Sequence, residues 1–411
     1  MRKIKDLKNA IEEQLLKPLE EISIIKLIDY FVEYAYTAHA SDIHIEPGTS
    51  KVRVRFRIDG QLMEIFENIS VSKELQSELI TRVRVLSGLR TDEHSQAQDG
   101  RFKSSIEEVG SVDVRVSIVP TYHGENVVMR VLVPTHAFTL ENLGFAKDDL
   151  EKVRRAINKP YGMVLANGPT GSGKTSTLYT MLQEVNRPEV SIVTIEDPIE
   201  YSFESASQIQ VNNQVGLTFA NGLRAVLRQD PNIVMVGEIR DEETARIAVN
   251  AALTGHLLFS TLHTNDSATT FPRLIDMGVP PFLIASTINV AIGQRLVRMI
   301  CQKCREPREM SKDEIKSLKE ILPHDAPMPE TFFKGKGCEA CQGTGYVGRT
   351  AIREVLEVDE SIRALIIKRA TAAEIKETAI KNGMLTMFHH GLQRVEEGVV
   401  SIEELLHIMQ E

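Results

Sequence analysis

The sequence predicts a two-domain α/β protein, with an α+β amino-terminal half and a carboxyl-terminal half built on a twisted, largely parallel sheet. Three observations predict it. The 411 residues leave room for two or three domains of about 150 residues, each long enough to bury its own core. Up to about residue 133, apolar and polar residues alternate as in half-exposed strands, between amphipathic helical stretches. Beyond residue 150 the apolar residues gather instead into the runs 161–166, 191–195, 232–237 and 256–262, separated by helical patterns, as expected of parallel strands covered on both faces.

Residues 1–22 read as an amphipathic helical lead-in, with Ile4, Leu7, Ile11 and Leu15 at helical spacing and a break at Pro18. From Ser23 to His39 a second helix is marked by Ile24, Leu27, Ile28, Phe31 and Val32. Val52, Val54, Phe56 and Ile58 then alternate with Arg53, Arg55 and Arg57, and Asp59-Gly60 supplies a hairpin turn. A helix over 72–89 and strands over 112–118 and 126–133 complete an amino-terminal domain of residues 23–134, followed by a linker over 135–150. Residues 151–411 form the second domain. Within it a four-cysteine element spans 298–348, a short strand covers 350–357, and a helical tail of residues 358–411 reads as helices over 360–382, 384–397 and 401–410. There is no internal repeat and no low-complexity tract.

Composition narrows the function classes. With 42% hydrophobic and 26% charged residues the chain is neither disordered nor fibrous. A net charge of −9 and the absence of Trp argue against a stable nucleic-acid partner, which needs a basic surface and stacking side chains. No apolar run approaches the length of a membrane span, and the first residues are charged, so a cytoplasmic protein is expected.

The strongest chemical signal follows the first apolar run. Gly168-Pro169-Thr170-Gly171-Ser172-Gly173-Lys174-Thr175 is a complete G-x-x-x-x-G-K-T loop between a strand and a helix. Glycines allow the backbone to wrap a phosphate with its N–H groups inward, and the helix start adds its positive dipole end. Lys174 is expected to reach the β- and γ-phosphates of ATP, and the Thr175 hydroxyl to ligate Mg2+. The second run delivers Glu196, Asp197 and Glu200 at its carboxyl end, where catalytic groups collect in such sheets; they read as water-activating or Mg2+-holding acids, or as solvated acids around Pro198. The third run ends in Gly237-Glu238, with Gly where an Asp is frequent in this class of site, so Glu238 is expected to meet Mg2+ through water. The fourth run is flanked by His256 and His263, read as candidates for sensing the γ-phosphate.

All four cysteines lie in two C-x-x-C pairs, Cys301/Cys304 and Cys338/Cys341, separated by 33 residues. Four thiolates suit a closed, structural Zn2+ site; free thiols or a redox pair are the alternatives.

The succession of phosphate loop, Ile195-Glu196-Asp197-Pro198-Ile199-Glu200-Tyr201, the stretch 227–241 around Glu238 and the stretch 254–265 around both histidines resembles the type II secretion and type IV pilus assembly ATPases. Ala40–Pro47, Arg55–Gly60 and Gln98–Phe102 extend the likeness into the amino-terminal half. The resemblance implies a RecA-like P-loop NTPase domain and a cytoplasmic homo-hexamer that hydrolyses ATP. Such a ring drives assembly of a pilus or pseudopilus through an inner-membrane platform protein. It further implies that Glu200 activates water, that Glu238 is the acid at the end of the third strand, that His256 and His263 form a histidine box, and that Arg115 and Arg130 reach the nucleotide as arginine fingers. Assembly motors of this kind carry the four-cysteine element and retraction motors generally lack it. A retraction motor, a RecA-like nucleic-acid motor and a nucleotide-gated scaffold are the competing readings. Additional amino-terminal modules dock longer members onto the platform, and the short lead-in leaves the recruitment route open.

Overall fold

The computed structural model describes residues 2–49, 51–66, 71–132, 139–203, 205–321 and 328–410. The chain divides into two compact units, Met1–Thr135 and His136–Glu411.

The first unit packs helices onto one face of an antiparallel sheet. Helices α1 (Ile4–Leu15) and α2 (Ile24–Thr37) precede strands β1 (Ala40–Pro47), β2 (Val52–Ile58) and β3 (Gln61–Glu64); α3 (Lys73–Ser87) and strands β4 (Gln98–Ile106), β5 (Gly110–Thr121) and β6 (Gly124–Leu132) follow. Strand order is β3-β2-β1-β6-β5-β4, antiparallel throughout. The β2–β3 hairpin turns on Asp59 and Gly60, both at positive φ (49° and 90°), the primed turn expected from that dipeptide. Ile43, Ile45, Val54, Phe56, Val114, Val116 and Met129 point to the buried face. The opposite face carries a row in register across the sheet: Arg101, Arg115, Arg130, Asp42 and Arg57. The expected lead-in is part of this unit, because Leu7 and Ile11 on α1 are fully buried in the same core as Phe31 and Phe56. Ser72 starts α3 by accepting the Leu75 N–H at 3.1 Å, and Gly88, left-handed at φ 66°, ends it.

The second unit holds a seven-stranded sheet. In order along the chain it contains α4 (Lys147–Ile157), β7 (Gly162–Asn167), α5 (Lys174–Val185), β8 (Ile192–Glu196), β9 (Ala206–Gln210), α6 (Phe219–Val226), β10 (Ile233–Val236), α7 (Glu242–Leu253), β11 (Leu257–Leu262), α8 (Thr270–Asp276), α9 (Pro281–Thr287) and β12 (Ile288–Ile300). There follow β13 (Arg305–Arg308), α10 (Lys312–Ile321), β14 (Phe332–Gly335), β15 (Tyr346–Glu357), α11 (Glu360–Ile367), α12 (Ala372–Lys381), α13 (Met387–Glu396) and α14 (Ile402–Gln410). The sheet runs β15-β12-β7-β11-β10-β8-β9, parallel except for β15. Every residue of β7, β8, β10 and β11 is buried, as their largely apolar runs predict.

Three boundaries differ from the sequence reading. Of the expected linker, residues 135–138 lie outside the described residues, and from 139 onward the chain is packed: Leu140 is fully buried and α4 begins at Lys147. The strand expected over 350–357 starts at Tyr346, where it pairs with Ile300 on β12, because its first five residues are exposed or half-buried and lack the apolar run that marks the rest. The helix expected over 360–382 is two helices, α11 and α12, divided where Arg369 turns left-handed (φ 56°) and Thr371 opens α12 with a capping box to Glu374.

Candidate active site

At the carboxyl end of β7 the chain turns through Gly168, Gly171 and Gly173, at φ 146°, 80° and 85°, and enters α5 at Lys174. A Cβ on Gly168 would sit 2.5 Å from the Gln294 carbonyl oxygen and 2.6 Å from Ser172 Oγ, so this loop position admits only glycine. Pro169, Thr170 and Gly171 are exposed at the tip and Thr175 is half-buried behind Lys174. Lys174 Nζ donates to the carbonyls of Gly168 (2.8 Å) and Pro169 (2.9 Å). Burial pushes its pKa down to about 8; the Glu238 carboxylate opposes that shift and the Arg295 guanidinium adds to it. Among the described residues, Ser172 Oγ is buried with no hydrogen-bond partner. A glycine cradle, a desolvated ammonium and an orphaned hydroxyl together fit a phosphate group.

The neighbouring strand ends bring further groups to the same edge. Parallel register sets Val236 on β10 beside Ser260 on β11, and Leu262 beside Asn167 at the start of the loop. Glu238, immediately after β10, is buried and receives His263 Nε2 at 3.0 Å and Arg240 Nη2 at 2.5 Å. Thr261 Oγ1 donates to the Gly237 carbonyl at 2.8 Å, locking the turn that presents Glu238. Lys174, Glu238 and His263 therefore meet where three strands end.

The acids after β8 separate into two environments. Glu196 is buried and accepts from Tyr179 Oη (2.7 and 2.8 Å), Thr194 Oγ1 (2.6 Å) and Gln208 Nε2 (3.2 Å), which saturate its oxygens and turn it into a structural anchor for α5. Burial, then the nearby Glu196 charge, pushes the Tyr179 pKa up, so the phenol stays a donor. Asp197 is exposed and Glu200 half-buried on the following turn.

His256 is set apart. It precedes Leu257, which pairs with Gly162 at the amino end of β7, and the six residues of β11 separate it from His263, about 20 Å of strand. Its Nδ1 lies 2.9 Å from the Ala251 carbonyl, where it closes the end of α7. Within this unit the structure brings His263 to the phosphate loop and leaves His256 at the opposite end of the sheet. Arg115 and Arg130 lie in the first unit as direct cross-strand neighbours, with Arg130 Nε donating to buried Asp42 at 2.9 Å.

Sequence reasoning missed β12, whose apolar run is broken by Gln294 and Arg295. Both border the phosphate loop: Gln294 Nε2 donates to the Ser172 carbonyl at 2.7 Å, and Arg295 acts on the Lys174 ammonium. Tyr179 and Gln208 were also missed; a Tyr five residues after Lys174 on an otherwise apolar helix face was the available signal.

The cysteines form a separate cluster in the same unit. Their four sulfurs lie within 4.8 Å of one another, with Cys301–Cys338 and Cys304–Cys341 at 3.8 Å and Cys338–Cys341 at 3.7 Å. Four sulfurs placed tetrahedrally about 2.3 Å from a zinc ion are about 3.8 Å apart, so the donor set fits such an ion and no pair is bonded as a disulfide. The Cys338 and Gly345 N–H groups donate to Cys341 Sγ at 3.0 and 3.2 Å. Burial works against the Cys341 thiolate, but these bonds outweigh it and lower its pKa to about 7. The cluster can bind a metal.

A twisted parallel sheet with a lysine-bearing glycine loop at its carboxyl edge, answered by an acid and a histidine from the next strands, defines a P-loop ATPase. Within that class, the chain belongs to the family described as type II/IV secretion system protein, whose signature matches residues 18–407. It is 44% identical over 400 residues to the type II secretion system ATPase E of Vibrio cholerae serotype O1, covering 97% of this chain and 78% of that protein. It is 41% identical over 395 residues to the type IV pilus assembly ATPase PilB of Myxococcus xanthus, covering 96% of this chain and 69% of the relative. Among solved structures, the pilus retraction motor PilT with bound ADP superposes with a TM-score of 0.63 at 26% identity, covering 93% of this chain and 96% of that one. The chain is an ATP hydrolase of the secretion superfamily.

Proposed function

We propose that this chain is the cytoplasmic motor that hydrolyses Mg-ATP to assemble a pilus or pseudopilus, as a homo-hexamer bound peripherally to an inner-membrane platform protein. The observation that carries it is the meeting of Lys174, Glu238 and His263 at one strand edge, in a chain more than 40% identical to assembly-type ATPases over nearly its full length. Among the described residues no helix is long and apolar enough to cross a membrane, which suits recruitment through a partner.

In this reading Gly168 to Gly173 cradle the phosphates with backbone N–H groups and Lys174 leaves its two carbonyls for the β- and γ-phosphates. Thr175 and, through water, Glu238 would hold Mg2+, which offsets the phosphate charge. Glu200 and Asp197, beyond the anchored Glu196, flank the attacking water, with Glu200 orienting it. His263 donates to Glu238 and senses whether the γ-phosphate is present. Arg115 and Arg130 would act as arginine fingers, stabilising the charge of the transition state. The cysteine cluster holds Zn2+ as a structural staple.

The test is ATP hydrolysis by the purified chain measured alongside its mass in solution and its zinc content. Turnover that rises with a six-subunit species, at one zinc per chain, supports the reading; strong turnover by a monomer removes the ring. The likeness to PilT favours a second reading, retraction. Deleting the protein from its cell separates them: an assembly motor leaves no filaments and a retraction motor leaves an excess.

A further inference from the structure

Behind the phosphate loop lies a chain of buried polar groups that none of the steps above uses. Arg353 on β15 is buried, with only 2% of its surface exposed, and among the described residues no carboxylate pairs with it. Its Nη1 donates to the Leu143 carbonyl, its guanidinium lies 4.4 Å over the Phe145 ring, and its Nη2 donates to Thr177 Oγ1 at 3.3 Å. Thr177 Oγ1 is 3.0 Å from Gln294 Oε1, and Gln294 Nε2 is 2.7 Å from the Ser172 carbonyl. Thr177 and Gln294 are themselves almost wholly enclosed.

The direction of every bond follows from one residue. A guanidinium has donors only, so Thr177 Oγ1 accepts from Arg353 and its single proton goes to Gln294 Oε1. That fixes the amide with Nε2 toward Ser172, whose carbonyl is held away from the loop interior. In a planar trans peptide the N–H of the next residue points opposite to that carbonyl, so the Gly173 N–H is aimed into the cradle. Hydrogen bonds in series polarise one another in a low-dielectric interior, and a positive charge at the far end strengthens each donor along the line.

We propose that Arg353, Thr177 and Gln294 form a buried relay that positions and polarises the Gly173 N–H as a phosphate donor, making them positioning residues for nucleotide binding. The relay rests on the reading of residues 168–175 as the nucleotide site. Neither Thr177 nor Gln294 touches the phosphates. What they supply is orientation of one amide and a field directed at it.

The test uses the full-length chain, with Mg-ADP affinity, the KM and kcat for ATP, and melting temperature with and without Mg-ADP. Thr177→Val keeps the shape and removes the hydroxyl; it should bind Mg-ADP about five- to tenfold more weakly and raise KM more than it lowers kcat, while the nucleotide-free melting temperature falls by only a few degrees. Thr177→Ser retains the hydroxyl and should stay within about twofold of wild type. Gln294→Met, which fills the space without an amide, should reproduce the Val phenotype and serves if Thr177→Val does not fold. Wild-type Mg-ADP affinity in either folded variant, or an equal loss in Thr177→Ser and Thr177→Val, overturns the relay. Lys174→Ala is measured beside them: if it binds Mg-ADP normally the nucleotide site itself is misplaced, whereas its loss of binding with unaffected Thr177→Val and Gln294→Met condemns the relay alone.

Discussion

The phosphate loop and the cysteine knuckle are both glycine-rich turns that gather backbone N–H groups around a charge, yet they suit ligands of opposite sign. In the phosphate loop, Gly168, Gly171 and Gly173 at positive φ open a cradle that suits an anion directly. In the knuckle, Gly337, Gly343 and Gly345 at positive φ let two backbone strands approach, and the N–H groups of Cys338 and Gly345 point at the Cys341 sulfur, which with the other three could in turn face a cation. A Cβ on Gly335 would lie 2.0 Å from the Gly345 carbonyl oxygen, so the knuckle closes on itself with no room for a guest on the glycine side. The same backbone device thus serves exchange in one place and closure in the other, according to whether side chains stand between amide and ligand.

The sharpest way to break the comparison is to remove the charge that completes each turn. Lys174→Ala should lower productive ATP binding and turnover by roughly 10²–10³-fold, read by nucleotide titration and phosphate release, because an aimed donor in a dry site has no substitute. Glu200→Gln should lower turnover by about 10²-fold while Mg-ADP affinity stays near wild type; normal hydrolysis would return the protein to the nucleotide-gated scaffold reading.

Next comes pH. Burial lowers the Lys174 pKa to about 8, below its ordinary 10.5, whereas a phosphate beside it would favour the ammonium. Binding above that point therefore takes up a proton, and Mg-ADP affinity should fall by up to about tenfold for each pH unit above 8, with proton uptake visible by calorimetry in two buffers. Stability has the opposite sign. With this depressed pKa the folded chain binds fewer protons than the unfolded chain between about pH 8 and 10.5, so this lysine adds stability as pH rises through that window. Cys301→Ser should abolish metal binding at the cluster, measured by zinc content, and lower the melting temperature by about 5–10 °C, with turnover in the folded protein changed only a few-fold. His256→Asn, at the far end of β11, should change nucleotide affinity by less than about twofold; a larger loss would place it in the site after all.

What the sequence made legible was what periodicity and glycine chemistry encode locally. The four buried strands, the Asp59-Gly60 hairpin and the loop at residues 168–175 each announce themselves within a dozen residues. Pairing across long separations did not. Nothing near Gln294 says that it lies beside Ser172, 122 positions earlier, because a glutamine inside an apolar run reads as an interruption of a strand. Glu196 and Glu200 look equivalent in sequence, and only the fold shows that Tyr179 and Gln208 hydrogen-bond the first. The two histidines look like a pair for the same reason, although a strand's direction puts them at opposite ends.

The pairing of Cys304 with Cys341 has a consequence for how the chain tolerates change. The 33 residues between Cys304 and Cys338 leave and return at nearly one point, where the four sulfurs cluster and the β13–β14 ladder holds the two ends together. Doubling the length of a loop closed in this way costs only about 0.6 kcal/mol. A change in the length of the connection between β13 and β14 should therefore strain this closure little, with the two strands staying in register.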